Sequence, residues 1–320
     1  MFKFFDVLKS TLRIYKRILL IIYEKGGYQL LVTVFTPTYN RKEKLKRLYD
    51  SLKAQTYFNF EWVIVDDGST DDTDEMINLF IKENNLFSIK YLKTENGGKH
   101  RAINKGLDIA EGQYFFIVDS DDCLLNNSIE IINEKTKKLP SDISGIVCLK
   151  KYFQGNSVGT THNQKYIDCL YTERKKYNIT GDKAEVIKTS IMKQYKFPEI
   201  KGEKFLSEGV VWNRTAYDNL KMRYFNENIY DCEYLENGLT SNIDKILAEN
   251  SQGYLLYINE MKINNLKKTT ILRNEIAYTF RLKKNGVPLK KIRIDLKNKS
   301  YFTLLIYMII GYFRKFIERR

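Results

Sequence analysis

The chain has 320 residues, 43% of them hydrophobic, which is enough for one large domain or two smaller ones with a real core. Only four Cys and two His occur, with no C-x-x-C pair, which argues against a zinc site or a disulfide framework and for reduced cysteines in a cytosolic compartment. The formal charge of +14 is uneven: Lys262 to Arg320 holds 16 basic against three acidic residues, Met1 to Lys25 six against two, and the body between is mildly acidic, so the ends suit a polyanion, either nucleic acid or an anionic membrane face.

In chain order, Met1 to Tyr23 is amphipathic at helical spacing. Phe4, Leu8, Leu12, Tyr15, Ile18, Leu19 and Ile22 share one side, and Lys9, Arg13, Lys16 and Arg17 the other. Its apolar run, Ile18 to Tyr23, is too short to span a bilayer. No small-residue cleavage site follows, so no secretory signal is expected. "LLVTVFTPTYN" begins as a buried strand and ends in turn residues. The helix after it turns Leu45, Leu48 and Leu52 inward, with Asn40 as its N-cap. "EWVIVDDGSTDDT" is a second strand ending in acids and a Gly turn, followed by a helix over Asp74 to Asn84 that faces inward through Met76, Ile77, Phe80 and Ile81. "SIKYLKT" is a third strand, "GGKHRAINKGLDIA" a turn and helix, and Tyr114 to Val118 a fourth strand.

Such alternation predicts an α/β fold: a largely parallel sheet covered on both faces, with ligands at the carboxyl ends of its strands. The polar motifs "TPTYN", "DDGSTDD", "TENGGK" and "DSDD" sit at those ends. After about residue 145 the alternation weakens, and Lys150 to Lys201 reads as polar and irregular. "GEKFLSEGVVWNRTAYDNL" is helical in its second half, Lys221 to Tyr234 alternates like a strand or hairpin, and the chain from Thr269 onward is helical and basic. Tyr301 to Phe313 is apolar but falls short of the ~20 residues a spanning helix needs. The two ends either pack on the body or lie in the membrane plane with their Lys and Arg on headgroups. The combination of aromatic and basic residues favours the membrane. The expected divisions are residues 1–27, a membrane-associating helix; 28–260, the catalytic domain; and 261–320, a basic helical, membrane-associating region.

"YFFIVDSDDCLLNN" places Asp119, Asp121 and Asp122 at the end of a buried strand, where carboxylates repel one another and resist burial. Two acids spaced D-x-D on such a turn can share one hard divalent cation, Mg²⁺ or Mn²⁺, which keeps coordination open for phosphate oxygens. The expected positive partner is that metal with the diphosphate it carries.

"TPTYNR", "VIVDDGSTDDT", "NGGKHRAINKGL" and "FFIVDSDD" occur in the order and spacing of family 2 glycosyltransferases with the GT-A fold, and the chain resembles that family most strongly over residues 30–145. "GDKAEV", "FPEIKGEKFLSEGVVWNR" and "YFNENIYDCEY" resemble its bacterial capsular and exopolysaccharide branch. The resemblance implies a Rossmann-like, mostly parallel sheet covered by helices. It also implies inverting transfer of a sugar from a nucleotide diphosphate-sugar, typically a UDP-sugar, to a glycan acceptor. By the same resemblance, Thr36, Pro37, Tyr39 and Arg41 begin the nucleotide pocket, Asp66 accepts a hydrogen bond from the base, and Asp67 supports the turn. Gly98 and Lys99 open a helix beside the diphosphate, where helix N-terminus and Lys both favour anions. Asp119, with its neighbour Ser120, lies toward ribose or metal and Asp121 toward metal, while Asp122 is a support or an outward-facing acid. Aligning on Trp212 puts Glu208 on the general base, where the family commonly has Asp, with Glu203 as the alternative. His100 is read as a solvated or capping residue near the phosphates.

The expected setting is the inner face of the plasma membrane, with a nucleotide-sugar, a glycan or lipid-linked acceptor and an anionic membrane surface as partners. No nucleic acid is expected. The rival readings are a sugar nucleotidyltransferase, a catalytically silent sugar-nucleotide-binding partner, and a nucleic-acid binder using the basic tail.

Overall fold

The computed structural model describes residues 30–153, 155–233 and 243–317, with side chains as far as Phe313. The helix expected over residues 1–27 lies outside the described residues.

Four strands form a parallel half-sheet. β1 (Val32–Thr38) lies between β2 (Phe60–Asp66) and β4 (Tyr114–Ile117), and β3 (Ser88–Lys93) flanks β2. The register sets Val32 opposite both Phe60 and Tyr114, and Thr38 opposite Asp66. The acid-bearing loops after β1, β2 and β4 therefore leave the sheet side by side. The crossovers are α1 (Lys42–Lys53), α2 (Thr73–Lys82) and α3 (Lys99–Ile109). Successive strand residues enter opposite cores, which is why the strands read as continuous apolar runs. Val34 and Phe116 join Leu45, Leu48, Leu52, Trp62 and Phe80 on one face; Phe35 and Phe115 join Val63, Leu107 and Val210 on the other.

Beyond β4 the sheet is mixed. β5 (Cys123–Leu124), α4 (Ser128–Thr136), β6 (Ile143–Tyr152), β7 (Ile167–Cys169), a 3-10 turn over Tyr171–Tyr177, β8 (Lys183–Lys188), α5 (Thr189–Gln194), α6 (Gly209–Tyr217) and β9 (Lys221–Cys232) follow. The sheet order is β3-β2-β1-β4-β8-β6-β9-β5, with β7 on β9; β8 runs antiparallel to both β4 and β6. The stretch 150–201 is irregular only in part, since β7, the 3-10 turn, β8 and α5 fall within it. Its strands are short, and β8 carries a buried lysine that masks its pattern. Lys183 Nζ donates to the carbonyls of Val158 and Thr180 at 2.9 and 2.6 Å, and burial pushes its pKa down to about 8.

Two local expectations change. Arg41, not Asn40, occupies the cap position of α1. Asn40 takes a positive φ of 50°, and its amide oxygen accepts the Thr70 N–H at 2.8 Å, tying the first loop to the second. Ile81 is 43% exposed, so α2 buries mainly Thr73, Ile77 and Phe80.

The remaining chain is helical: α7 (Ile243–Glu249), α8 (Ser251–Ile263), α9 (Lys268–Lys284), α10 (Leu289–Asp295) and α11 (Tyr301–Ile317). These helices share a third core that includes Leu247, Tyr254, Ile258, Ile276, Tyr278, Leu282 and Leu304. The boundary expected at residue 260 falls inside α8, because this core already begins with α7. α8 is fastened to the sheet body by an Arg214–Glu260 ion pair at 2.8 Å.

One buried acid holds the rear of the sheet. Glu61 on β2 is fully buried; Oε1 accepts from Thr33 Oγ1 (2.6 Å) and the N–H of Glu111 (2.7 Å), and Oε2 pairs with Lys90 at 2.8 Å. Glu61→Ala would strand these donors, and the expected loss is about 3 kcal/mol or more in urea unfolding. A loss below ~1 kcal/mol, the level of one ordinary hydrogen bond, would refute this role.

Candidate active site

The loops after β1, β2, β3 and β4, with the segment before α6, enclose an open cleft of about 670 Å³. Pro37, Tyr39, Arg41, Asp67, Gly98, Lys99, Asp119, Ser120 and Asp121, all expected at the site, line it. Thr36 and Asp66 do not. Thr36 is fully buried, and its hydroxyl accepts from Trp62 Nε1 at 2.9 Å. Asp66 is also fully buried, its oxygens accepting from the Ser69 N–H (2.7 Å) and the Tyr91 hydroxyl (3.0 Å). The inward-facing strand residue braces the turn, and the next one, Asp67, reaches the cleft, so Asp66 does not line the site where it was expected and Asp67 does.

Asp67 accepts the N–H groups of Gly97 (2.7 Å) and Gly98 (2.8 Å), and burial raises its pKa. Gly98 has φ +97°, and a Cβ there would lie 1.8 Å from the Lys204 carbonyl oxygen. Only glycine lets the start of α3 approach that strand of chain so closely.

The acids after β4 find cations within the chain itself. Lys99 Nζ lies 2.6 Å from Asp119 Oδ1 and 2.9 Å from Glu208 Oε1. Burial alone would lower the Lys99 pKa, but the carboxylates of Asp119 and Glu208 outweigh it and hold it well above the usual value. The Asp119 pKa is lowered: burial works against this, but Lys99 and Lys150 prevail. Arg41 pairs with the Asp121 carboxylate, and Arg47 donates to the Asp121 carbonyl at 2.6 Å. Asp122 is buried, and burial followed by repulsion from Asp119 pushes it up to about 7.

Asp119 and Asp121 face the cleft as part-exposed oxygen donors. Among the described residues no group of three or more His, Cys, Asp and Glu could hold a metal unaided. The donor set fits a hard divalent cation that draws its remaining ligands from a bound diphosphate.

Glu208 precedes α6 and lines a second cavity of about 310 Å³, which shares Lys99, Asp119 and Lys150 with the cleft. Glu203 is buried instead, accepting the Gln252 and Gly253 N–H groups at 2.8 and 2.7 Å, where a carboxylate complements the first turn of α8. Of the two candidates, only Glu208 faces the cleft region. Trp212, 6% exposed, forms part of the same wall.

Sequence reasoning missed the second rank of charges. Lys150 pairs with Asp182 at 2.8 Å, and its Nζ sits 4.3 Å over the Tyr230 ring. The Tyr230 hydroxyl accepts the Asp119 N–H at 2.9 Å. Lys204 reaches Asn96 at 2.8 Å, and Glu185 lines the second cavity with its pKa raised to about 7 by burial and by Asp182. The one available signal was "CLKK", charge at the end of an apolar run.

The model for the family described as "Glycosyl transferase family 2" matches residues 33–197, more than half of the chain. The chain belongs to glycosyl transferase family 2. A relative within reach of sequence is the glycosyltransferase GlyG of Streptococcus pneumoniae serotype 4, 37% identical over 114 residues that span 35% of this chain and 37% of GlyG. The first four relatives are covered over only 22–37% of their own length. Among solved structures, S. aureus TarS 1-349 in complex with UDP-GlcNAc is similar over 88% of this chain and 79% of that one, at TM-score 0.58 and 20% identity. The mannosyltransferase PcManGT from Pyrobaculum calidifontis, in complex with GDP-Man and Mn²⁺, is similar over 96% and 95%, at TM-score 0.53 and 16% identity. These likenesses establish the GT-A fold, here with a helical C-terminal region.

His100 departs from its expected solvated position. It is buried, its Nδ1 has no partner, and burial, then Arg101, pushes its pKa down from 6.5 to about 4. The unfolded chain therefore binds this proton more readily, and its contribution to stability falls as pH drops from about 6.5 to about 4. Urea midpoints measured across that range should fall less steeply for His100→Gln than for the wild type. Parallel curves would mean that His100 takes up its proton equally readily in the folded and unfolded chain.

Proposed function

We propose that the protein is an inverting glycosyltransferase that moves a sugar from a nucleotide diphosphate-sugar, a UDP-sugar in the first instance, to a glycan acceptor. The observation that carries this reading is the Lys99 ammonium held between Asp119 of the cleft and Glu208 of the adjoining cavity. One cation spans the place where a diphosphate would leave and the place where an acceptor would enter.

The nucleotide would lie over Pro37 and the 46% exposed ring of Tyr39, with Asp67 toward the base. The diphosphate would sit at the start of α3 beside Lys99 and Arg41, where helix dipole and side-chain charge both favour anions. Mg²⁺ or Mn²⁺ held by Asp119 and Asp121 would supply further charge neutralisation on the departing diphosphate. An acceptor hydroxyl in the second cavity attacks the anomeric carbon from the side opposite the diphosphate. The new C–O bond forms as the old one breaks, the nucleoside diphosphate departs with the electron pair, and Glu208 takes the hydroxyl proton. Lys99 and Arg41, released from their carboxylates by the incoming donor, would pair with its phosphates.

The basic ends and the exposed apolar residues of α11 support a peripheral position on the inner face of the plasma membrane, with a lipid-linked acceptor and a role in surface polysaccharide synthesis. No helix among the described residues is long and apolar enough to cross a membrane.

Glu208→Gln keeps the side chain's shape and removes its proton-accepting charge. Calorimetric UDP affinity in Mn²⁺ should survive within a few-fold, while transfer falls by roughly 10²–10⁴, the range of a lost general base. Transfer at the wild-type rate would remove Glu208 from the mechanism. A wild type that binds UDP-sugar, neither hydrolyses nor transfers it, and behaves like Glu208→Gln in every assay would favour a silent binding partner.

Asp121→Asn should weaken Mn²⁺-supported UDP binding while leaving thermal unfolding cooperative. Equal affinity with and without EDTA, in mutant and wild type alike, would remove the metal from the donor site.

A further inference from the structure

Helix α11 packs against α9 through a narrow line, Leu304, Tyr307 and Gly311. A Cβ on Gly311 would lie 2.7 Å from Phe280 Cβ, so glycine lets the two helices close together. As far as Phe313, most of the other side chains of α11 are exposed and apolar. Phe302 is 73% exposed, Leu305 48%, Ile309 56% and Phe313 66%, at the spacing of one helical face. This face has no covering element among the described residues. Beside it lies a cavity of about 290 Å³ between the 3-10 turn, α7, α9 and α11, with Gly311 in its wall. Lys175, Arg273 and Arg281 line this cavity against one acid, Asp244, which pairs with Arg281 at 2.7 Å. Thr270 and Asn274 add neutral polar groups.

We propose that α11 lies in the surface of an anionic bilayer, its outward face among the acyl chains, and that the adjoining cavity takes the phosphate of a lipid headgroup. The inference rests on the reading of the protein as a transferase working at a membrane, and it names the docking surface and the ligand chemistry. Charge complementarity selects the occupant. Leu296 to Ile317 contains no acidic residue. Lys283, Lys284, Lys290, Lys291 and Lys297 form no ion pair among the described residues. A second copy of this face would bring two such basic regions together, whereas an anionic bilayer neutralises them. A helix of this kind inserts its apolar side while its Lys and Arg stay at headgroup level. Arg273 and Lys175, both exposed and without an ion pair among the described residues, are the cations of this cavity most available to a phosphate.

The test is co-sedimentation of the full chain with vesicles of phosphatidylcholine, alone or mixed with phosphatidylglycerol, with hydrolysis of soluble donor measured in parallel. The wild type should pellet with the mixed vesicles and stay in solution with phosphatidylcholine. Phe302→Gln combined with Ile309→Gln changes only exposed side chains and should weaken binding by at least about tenfold. Arg273→Gln should weaken it about fivefold on the mixed vesicles, the worth of one cation near an anionic surface. Donor hydrolysis should stay unchanged in both variants. Wild-type pelleting of the double variant, or equal binding to both vesicle types, would overturn the proposal. Release of the wild type by inorganic phosphate at the concentration of the anionic lipid would overturn the headgroup assignment in favour of free phosphate. A wild type that is dimeric without vesicles, and monomeric as the double variant, would make the occupant a second copy and overturn the bilayer. Vesicle binding is read separately from chemistry, so a wild type that pellets but never hydrolyses or transfers sugar would sink the transferase reading and support the docking surface.

Discussion

The site depends on one constraint: four carboxylates, Asp119, Asp121, Asp122 and Glu208, are held close to the ends of buried strands. Together they are tenable only if positive charge is supplied where water is scarce. Lys99 answers two of them at once, at 2.6 Å from Asp119 and 2.9 Å from Glu208. Arg41 answers Asp121, and Asp122 is answered by a pKa raised to about 7. Each cation reaches its acid from a different segment. The cluster therefore fixes how the loop after β1, the start of α3, the turn after β4 and the start of α6 sit relative to one another.

The backbone makes this convergence possible. The parallel register of β1, β2 and β4 delivers three loops to one edge. Asp67 holds the N–H groups of Gly97 and Gly98, and the positive φ of Gly98 brings α3 against the chain at Lys204. The ion pairs of Lys99 with Asp119 and Glu208, and of Arg41 with Asp121, tie the cleft's segments together. On the proposed reading, the carboxylates would hold a metal and the cations the phosphates, so these pairs would have to open for the donor to bind.

Much of the fold was legible in the sequence because local pattern and topology coincide over residues 30–118. Buried parallel strands read as apolar runs, and the polar motifs after them mark the edge where the cleft lies. Asp66 and Asp67 show where that reading stops. Two adjacent acids on a strand end point to opposite sides, and sequence alone does not say which side faces the cleft. Thr36 stays off the cleft for the same reason, being an inward strand residue bonded to Trp62. β8 stayed hidden because its buried Lys183 makes a core strand look polar, with two carbonyls replacing water. Glu203 and Glu208 were separable only in three dimensions, where one caps α8 and the other meets Lys99.

The central claim is that one lysine serves both the departing diphosphate and the proton-accepting acid. Replacing Lys99 with Met, with Lys99→Arg as the charge-preserving control, tests it by measuring UDP affinity calorimetrically and turnover in single-turnover mode on the same preparations. Both quantities should fall in Lys99→Met, each by at least about tenfold, the loss of one charge-assisted contact to phosphate and one to the acid. Lys99→Arg should recover part of each, and thermal unfolding should show both variants folded. Loss of UDP affinity with single-turnover rates unchanged, or the reverse, would contradict a shared cation and leave the two cavities as independent sites.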